Sequence, residues 1–303
     1  MKIKLDHVSK YYDRKILDDL SLELEDVHAL GIIGASGCGK STLLRLLAGM
    51  ERPQEGSIEV NGRRLQEGTV REYQNEIGYV FQKHNLFPHL TILENLVLIL
   101  NKIKKEPGKE AEARAKQMLE QLHLKEEMNK RPDSISGGQA QRASIARALC
   151  TDPKLIFLDE PFSGLDPVNA QILRQLVREL VEEGKYIILS THQMETVEEY
   201  CKDLVILDKG KTILKGNLQE IKAGYGHTNL VVRTKEDVSA IARETGLKLF
   251  EERASETEYK IHGDKMAYLF LKRMLSAGIY PLKFEIREPS LQEIFVRKAG
   301  ERV

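Results

Sequence analysis

Gly34-Ala35-Ser36-Gly37-Cys38-Gly39-Lys40-Ser41 constrains the fold more than any other stretch of this 303-residue chain. Its glycines let the main chain come close to a bound group. Its backbone N–H groups, with the N-terminus of a following helix, can then wrap a phosphate. In such a loop the lysine, Lys40, reaches the β- and γ-phosphates of a nucleotide, and the Ser41 hydroxyl ligates Mg²⁺. Composition alone produces the spacing in about one chain in a hundred of this length. The flanks add to it: Leu30-Gly31-Ile32-Ile33 is a short apolar run entering the loop, and Lys40 to Met50 reads as a helix ended by Gly49 and Pro53. Strand, loop and helix in that order predict ATP and Mg²⁺ bound at 34–41, and ATP hydrolysed.

A second segment supplies acids. Leu155-Ile156-Phe157-Leu158 is an apolar run ending in Asp159-Glu160, which places two carboxylates at the C-terminal end of a strand, where ligands sit in open α/β sheets. Asp159 is placed to hold Mg²⁺ through its water shell, and Glu160 to orient and deprotonate an attacking water. Read alone, two acids closing a strand are as often unremarkable as functional; the phosphate loop tips the balance. Residues 154–158 and 186–189 lack alternation, as central parallel strands covered on both faces do, and 167–183 reads as the helix between them. Residues 2–8 and 20–25 alternate like half-buried strands around the turn-prone Tyr12-Asp13-Arg14-Lys15. Helical periodicity marks 90–100, 109–122 and 137–150, separated by Pro107-Gly108 and Pro132-Asp133. Beyond about Gly224, strands at 230–232, 247–251, 259–261 and 282–286 alternate with helices at 235–244 and 265–277. That βαββαβ order is the ferredoxin-like arrangement. Ser290-Leu291-Gln292-Glu293 is a capping box opening a last helix.

Ile135-Ser136-Gly137-Gly138-Gln139, then Gln141-Arg142 and Ile145-Ala146-Arg147-Ala148-Leu149, strongly resembles the signature of ATP-binding cassette (ABC) ATPases, with Ile135 where that family usually has Leu. The resemblance spans residues 3–220. It implies an α/β fold: a P-loop NTPase (RecA-like) core with antiparallel β and α-helical subdomains, beside the small ferredoxin-like α+β C-terminal domain. Expected boundaries are 1–224 for the ATP-binding domain, with its helical subdomain at about 84–150, and 225–303 for the accessory domain. The resemblance also implies roles. Tyr12 matches the aromatic that stacks on adenine, with Tyr11 as a rival, and the nucleotide lies along Gly34–Ser41 and Thr42. Gln82 matches the glutamine that senses Mg²⁺ and the transport partner, and His192 the histidine that contacts the γ-phosphate, beside Glu160 as catalytic base. Ser136, Gly137, Gly138, Gln139 and Asp166 match residues that reach a nucleotide held by another protomer. A second copy or a homologous ATPase then closes head to tail over two ATP molecules, and a lone protomer hydrolyses poorly. Two departures stand out: Glu25-Asp26-Val27-His28 replaces the usual Gly-Glu turn, and Gln193 occupies a position where a charged residue is usual.

Bulk properties narrow the setting. Forty-six Lys plus Arg balance 46 Asp plus Glu, so the electrostatic footprint of a nucleic-acid-binding protein is missing and no nucleic-acid partner is expected. Cys38, Cys150 and Cys201 form no CxxC pair, which argues against a disulfide framework or zinc site and for a reducing compartment. No apolar run follows the charges of MKIKLDHVSK, and none approaches the ~20 residues of a membrane span. The resemblance thus implies a cytoplasmic protein, peripheral on the inner face of the cell membrane, that powers a separately encoded integral membrane permease. Asn85-Leu86-Phe87-Pro88-His89-Leu90-Thr91 resembles polar amino-acid importers. Glu160 to Asn169, with Glu288 to Phe295, resembles drug- and sodium-efflux ATPases, which carry a C-terminal domain of this length. Export is the reading adopted, import the alternative. A soluble cassette for iron–sulfur assembly is the alternative outside transport, and it is expected to lack the C-terminal module.

Overall fold

The computed structural model describes residues 1–300. Its described residues divide into two compact units, 1–216 and 217 onward. The first contains β1 (Ile3–Tyr11), β2 (Lys15–Leu24), β3 (Ala29–Ile33), α1 (Lys40–Leu47), β4 (Glu55–Val60), β5 (Arg63–Arg64), α2 (Val70–Glu76) and β6 (Ile77–Val80). It continues through α3 (Ile92–Ile99), α4 (Gly108–Gln121), α5 (Gly137–Leu149), β7 (Leu155–Asp159), α6 (Pro167–Glu182), β8 (Tyr186–Thr191), α7 (Met194–Tyr200), β9 (Asp203–Asp208) and β10 (Lys211–Asn217).

Two sheets flank α1. One is antiparallel in the order β2-β1-β4-β5; the other runs β10-β9-β3-β8-β7-β6, and its β9-β3-β8-β7-β6 part is parallel. Every residue of β3 and β7 is buried, which explains why those strands read as unbroken apolar runs. Leu43, Leu44, Leu46 and Leu47 of α1 pack into one cluster with Ile3, Leu5 and Val8 on one side and Phe157, Ile188 and Val205 on the other. Each such buried leucine is worth roughly 2 kcal/mol, so the helix behind the glycine-rich loop is anchored from both sides.

The strands expected at 2–8 and 20–25 are longer than their alternation implied. They meet at the Tyr11–Lys15 pair, because the bulge at His7 (φ 49°) breaks the two-residue period. The helix expected from Leu90 starts at Ile92 instead, where Thr91 and Glu94 form a capping box. A π-helical turn then continues it over Leu100–Lys104. Asn95 is fully buried and pins the preceding loop: it accepts from Phe87 N at 2.8 Å and donates to Thr91 O at 2.9 Å and Phe87 O at 3.2 Å.

The second unit runs α8 (Leu218–Tyr225), β11 (Asn229–Arg233), α9 (Ser239–Glu244), β12 (Lys248–Glu252), β13 (Thr257–Lys260), α10 (Asp264–Ser276), β14 (Lys283–Arg287) and α11 (Leu291–Gly300). Its sheet order, β12-β13-β11-β14, is that of a ferredoxin-like sheet, and its core of Leu230, Val232, Tyr259, Phe270 and Met274 is its own. The boundary falls eight residues before the expected 224/225. Gly216, at φ 126°, ends the first unit, and Asn217 caps α8 by accepting from Gln219 N and Glu220 N. The residues of α8 lack the strand-like signals that marked the expected module, which is why the sequence put them on the wrong side. Within this unit Glu293 of α11 accepts from Asn229 Nδ2 at 2.8 Å and pairs with Lys260, so the capping-box glutamate also fastens the last helix to its sheet.

Candidate nucleotide site

Strand order brings the chemistry together. β3 enters the loop, and β8 lies between β3 and β7, with Asp159 opposite Ser190. Asp159 Oδ1 accepts from Ser41 Oγ at 2.8 Å and from Ser190 Oγ at 2.6 Å. Lys40 is 6% exposed; its Nζ donates to Gly34 O at 2.9 Å and lies 3.1 Å from Glu160 Oε1. Glu160 Oε2 is 2.9 Å from Nδ1 of the half-exposed His192. One buried carboxylate is thus held between the loop lysine and the histidine.

The backbone at Glu160 is unusual. Its φ is 47°, a left-handed value that a side chain adopts at a cost of order 1 kcal/mol and that concentrates at functional sites. Its N–H donates to Ser190 O at 3.1 Å and Ser190 Oγ at 3.2 Å, and Pro161 follows it. The neighbouring strand therefore holds the strained residue in place.

Ala35, Ser36 and Gly37 form an exposed loop tip, while Gly34, Cys38, Gly39 and Lys40 are buried. Gly39 sits at φ 110°, and a Cβ there would come within 2.6 Å of Leu17 Cδ2; only glycine fits. A Cβ on Gly34 would lie 2.5 Å from Cys38 Sγ, so the thiol fills the space that the small residue leaves. Burial pushes the Cys38 thiol pKa up, and Cys38 acts as a small neutral residue. Thr42 is buried and accepts from Arg45 Nη2 at 3.4 Å.

The donor set suits Mg²⁺. Ser41 Oγ and Asp159 Oδ1 are hard oxygens within one hydrogen bond of each other, and among the described residues no cluster of three His, Cys, Asp or Glu could cage an ion. A cation that keeps its waters and shares phosphate oxygens matches two protein ligands.

Other expected residues lie elsewhere. Gln82 is exposed, two residues beyond β6. It shares the C-terminal edge of the sheet with Asp159, but among the described residues it makes no hydrogen bond to Ser41, Asp159 or Glu160. Tyr12 is 50% exposed. Its hydroxyl donates to Glu51, it accepts from Arg45 Nη2 at 3.4 Å, and the Lys10 ammonium stands 5.3 Å from its ring centroid. Tyr11 sits under Lys15 in the same way, at 5.4 Å, so geometry leaves both tyrosines available.

The signature residues gather around α5. Ser136 caps it in a capping box with Gln139, and Ser136 and Gly137 are exposed. A Cβ on Gly138 would lie 2.4 Å from the Asn169 amide. Asn169 binds Arg142 and Asp166, and Asp166 caps α6. Hydrogen bonds from Asn169, backbone first, hold the Asp166 carboxyl below its usual pKa, so it stays charged. Ser136, Gly137 and Asp166 are thus exposed, with Gly138 and Gln139 half-buried beside them, and none of them hydrogen-bonds the phosphate loop among the described residues. Sequence reasoning passed over Ser190 and Asn169, whose roles depend on contacts 31 residues away or across two helices. It also passed over Gln141 and Arg147 as individual residues, although both stand in the signature.

The profile described as "ABC transporter" matches residues 17–163, and that described as "ATP-binding protein DrrA1-3-like, C-terminal domain" matches 216–299. The uncharacterized ABC transporter ATP-binding protein YhaQ of Bacillus subtilis is 34% identical over 299 residues, 98% of each chain. The general L-amino acid transport ATP-binding protein AapP of Rhizobium johnstonii is 37% identical over 214 residues, 70% of this chain and 83% of its own. The dimeric post-hydrolysis structure of the ATP-binding cassette MJ0796, bound to ADP and Pi, superposes with a TM-score of 0.66 at 30% identity, covering 71% of this chain and 98% of that one. From the phosphate loop to the signature helix, and along 98% of its length against YhaQ, this chain belongs to the ABC transporter ATP-binding proteins, a family of ATPases that couple ATP hydrolysis to transport.

Proposed function

We propose that this chain is the motor subunit of an exporter, peripheral to the membrane and docked on a separately encoded permease. The observation that carries the motor reading is the placement of Glu160 within 3.1 Å of Lys40 and 2.9 Å of His192. Lys40, with the loop N–H groups, binds the phosphates, and Ser41 and Asp159 would hold Mg²⁺, whose charge would offset that of the phosphates. Glu160 takes the proton of the attacking water, and His192 orients that carboxylate and addresses the γ-phosphate. Ser136 to Gln139 and Asp166, with Ser136, Gly137 and Asp166 exposed, face the nucleotide of a second copy, where the α5 N-terminus adds its dipole.

Export is favoured by the second unit. The efflux-type resemblance included a C-terminal domain, the DrrA1-3-like profile falls on 216–299, and the amino-acid transport relative matches only 70% of this chain. A groove of about 650 Å³, lined by Met50, Ile77, Phe81, Phe87, Ile99 and Ile103, opens beside the segment after Gln82. Its apolar walls suit a short amphipathic helix of the permease. Among the described residues no helix is long and apolar enough to cross a membrane.

Glu160→Gln tests the motor: turnover should fall by about 10³-fold while ATP accumulates on a dimer. Wild-type hydrolysis by that variant sinks Glu160 as the base. For docking, Phe87→Cys in the co-expressed complex should cross-link to the permease, and no cross-link from Phe87 or Ile103 sinks the groove.

A further inference from the structure

Gln141 lies five residues beyond Ser136 on α5 and is 4% exposed. Both ends of its carboxamide are engaged. Nε2 donates to Pro161 O at 3.1 Å, and Oε1 is 2.8 Å from His84 Nδ1. The orientation follows from chemistry: a carbonyl oxygen only accepts, so the NH₂ end must face Pro161. Oε1 is then left to His84, whose Nδ1 must carry a proton. Pro161 is bonded to Glu160, and His84 is two residues from Gln82. Farther along α5, Arg147 donates to Asn85 O at 2.6 Å and His84 O at 3.3 Å. It is 9% exposed and makes no ion pair among the described residues, so those carbonyls must stay close to satisfy a buried cation. Asn85 and Arg147 also line the groove.

We propose that Gln141 is a positioning residue that ties the main chain beside Glu160 to the segment after Gln82, so that groove and carboxylate move as one. Occupation of the groove then acts on hydrolysis through this carboxamide. The proposal rests on the reading of Glu160 as the base.

The test uses the full chain. Gln141→Leu fills the same volume without either hydrogen bond. It should lower kcat about ten- to a hundredfold, as sub-ångström displacement of a catalytic group does, with KM and the ATP Kd unchanged because no contact of Lys40 or Ser41 is altered. His84→Leu should do the same. His84→Asn presents an amide N–H where Nδ1–H stood and should keep kcat within about twofold of wild type. Gln141→Leu combined with His84→Leu should be no worse than either alone, since both break one link. Should Gln141→Leu fail to fold, the two His84 variants carry the comparison. A purely structural role would lower the melting temperature and leave kcat per folded molecule unchanged, which overturns the proposal, as does equal loss in His84→Asn and His84→Leu. If Glu160→Gln is inactive while His84→Leu is normal, only the coupling falls; if Glu160→Gln hydrolyses normally, the underlying reading falls first.

Discussion

The three thiols show how far burial sets residue chemistry. Cys150 is pushed up to about 12 and Cys38 and Cys201 are raised, in each case mainly by desolvation. An unfolded thiol titrates near 8.5. Below that pH both states hold the proton; above it the unfolded chain loses protons that the folded chain keeps, so stability falls as pH rises. Each thiol fully in that window removes about 1.4 kcal/mol per pH unit. Urea midpoints should therefore drop between pH 8 and 10, and Cys201→Ala should reduce the slope. A flat profile, or native thiols that alkylate as fast as glutathione, contradicts this. The phosphate loop, Asp159 and Glu160 stood out as candidates in the sequence because phosphate chemistry favours those residue types after apolar strands, and His192 stood out only through the family resemblance. The φ of 47° at Glu160 and the part played by Ser190 did not, since both arise from the register of β7 on β8.

Elements were legible where periodicity was long and hidden where tertiary packing decided. β6, Ile77-Gly78-Tyr79-Val80, is four residues long and contains a glycine, which argues against a strand from propensity alone. The glycine is there because a Cβ would lie 2.8 Å from Ala148 O of α5, a neighbour 70 residues later. Asn95 is a polar residue in the apolar helix α3, and its hydrogen bonds to residues 87–91 shape the loop beside the groove. Asn95→Ala leaves Phe87 N and the loop carbonyls without their partner, which should cost about 2–3 kcal/mol. The chain should unfold at correspondingly lower urea, and amide exchange at residues 87–91 should accelerate. Unchanged exchange there would mean that the loop is held by something else.

At the scale of the whole molecule, the decisive observation among the described residues is that the cluster around α1 and the cluster of the second unit share no residue. Each unit can then melt on its own terms, and two-state behaviour should fail. Calorimetry should resolve two transitions, with ATP and Mg²⁺ raising only the one that belongs to residues 1–216. A single transition that shifts as a whole with nucleotide would show the units to be energetically one. Overall architecture was readable because strand order and helix spacing repeat a known logic; the boundary was not, because α8 carries no marker of its own. The junction at Gly216 and Asn217 has a consequence for heredity. The cap of α8 comes from Asn217, which is also the last residue of β10, so a cut after Gly216 leaves α8 with its cap. Recombination at that codon exchanges one C-terminal module for another while leaving the phosphate loop, the acidic strand and the signature helix in one piece, which makes position 216 a natural splice point.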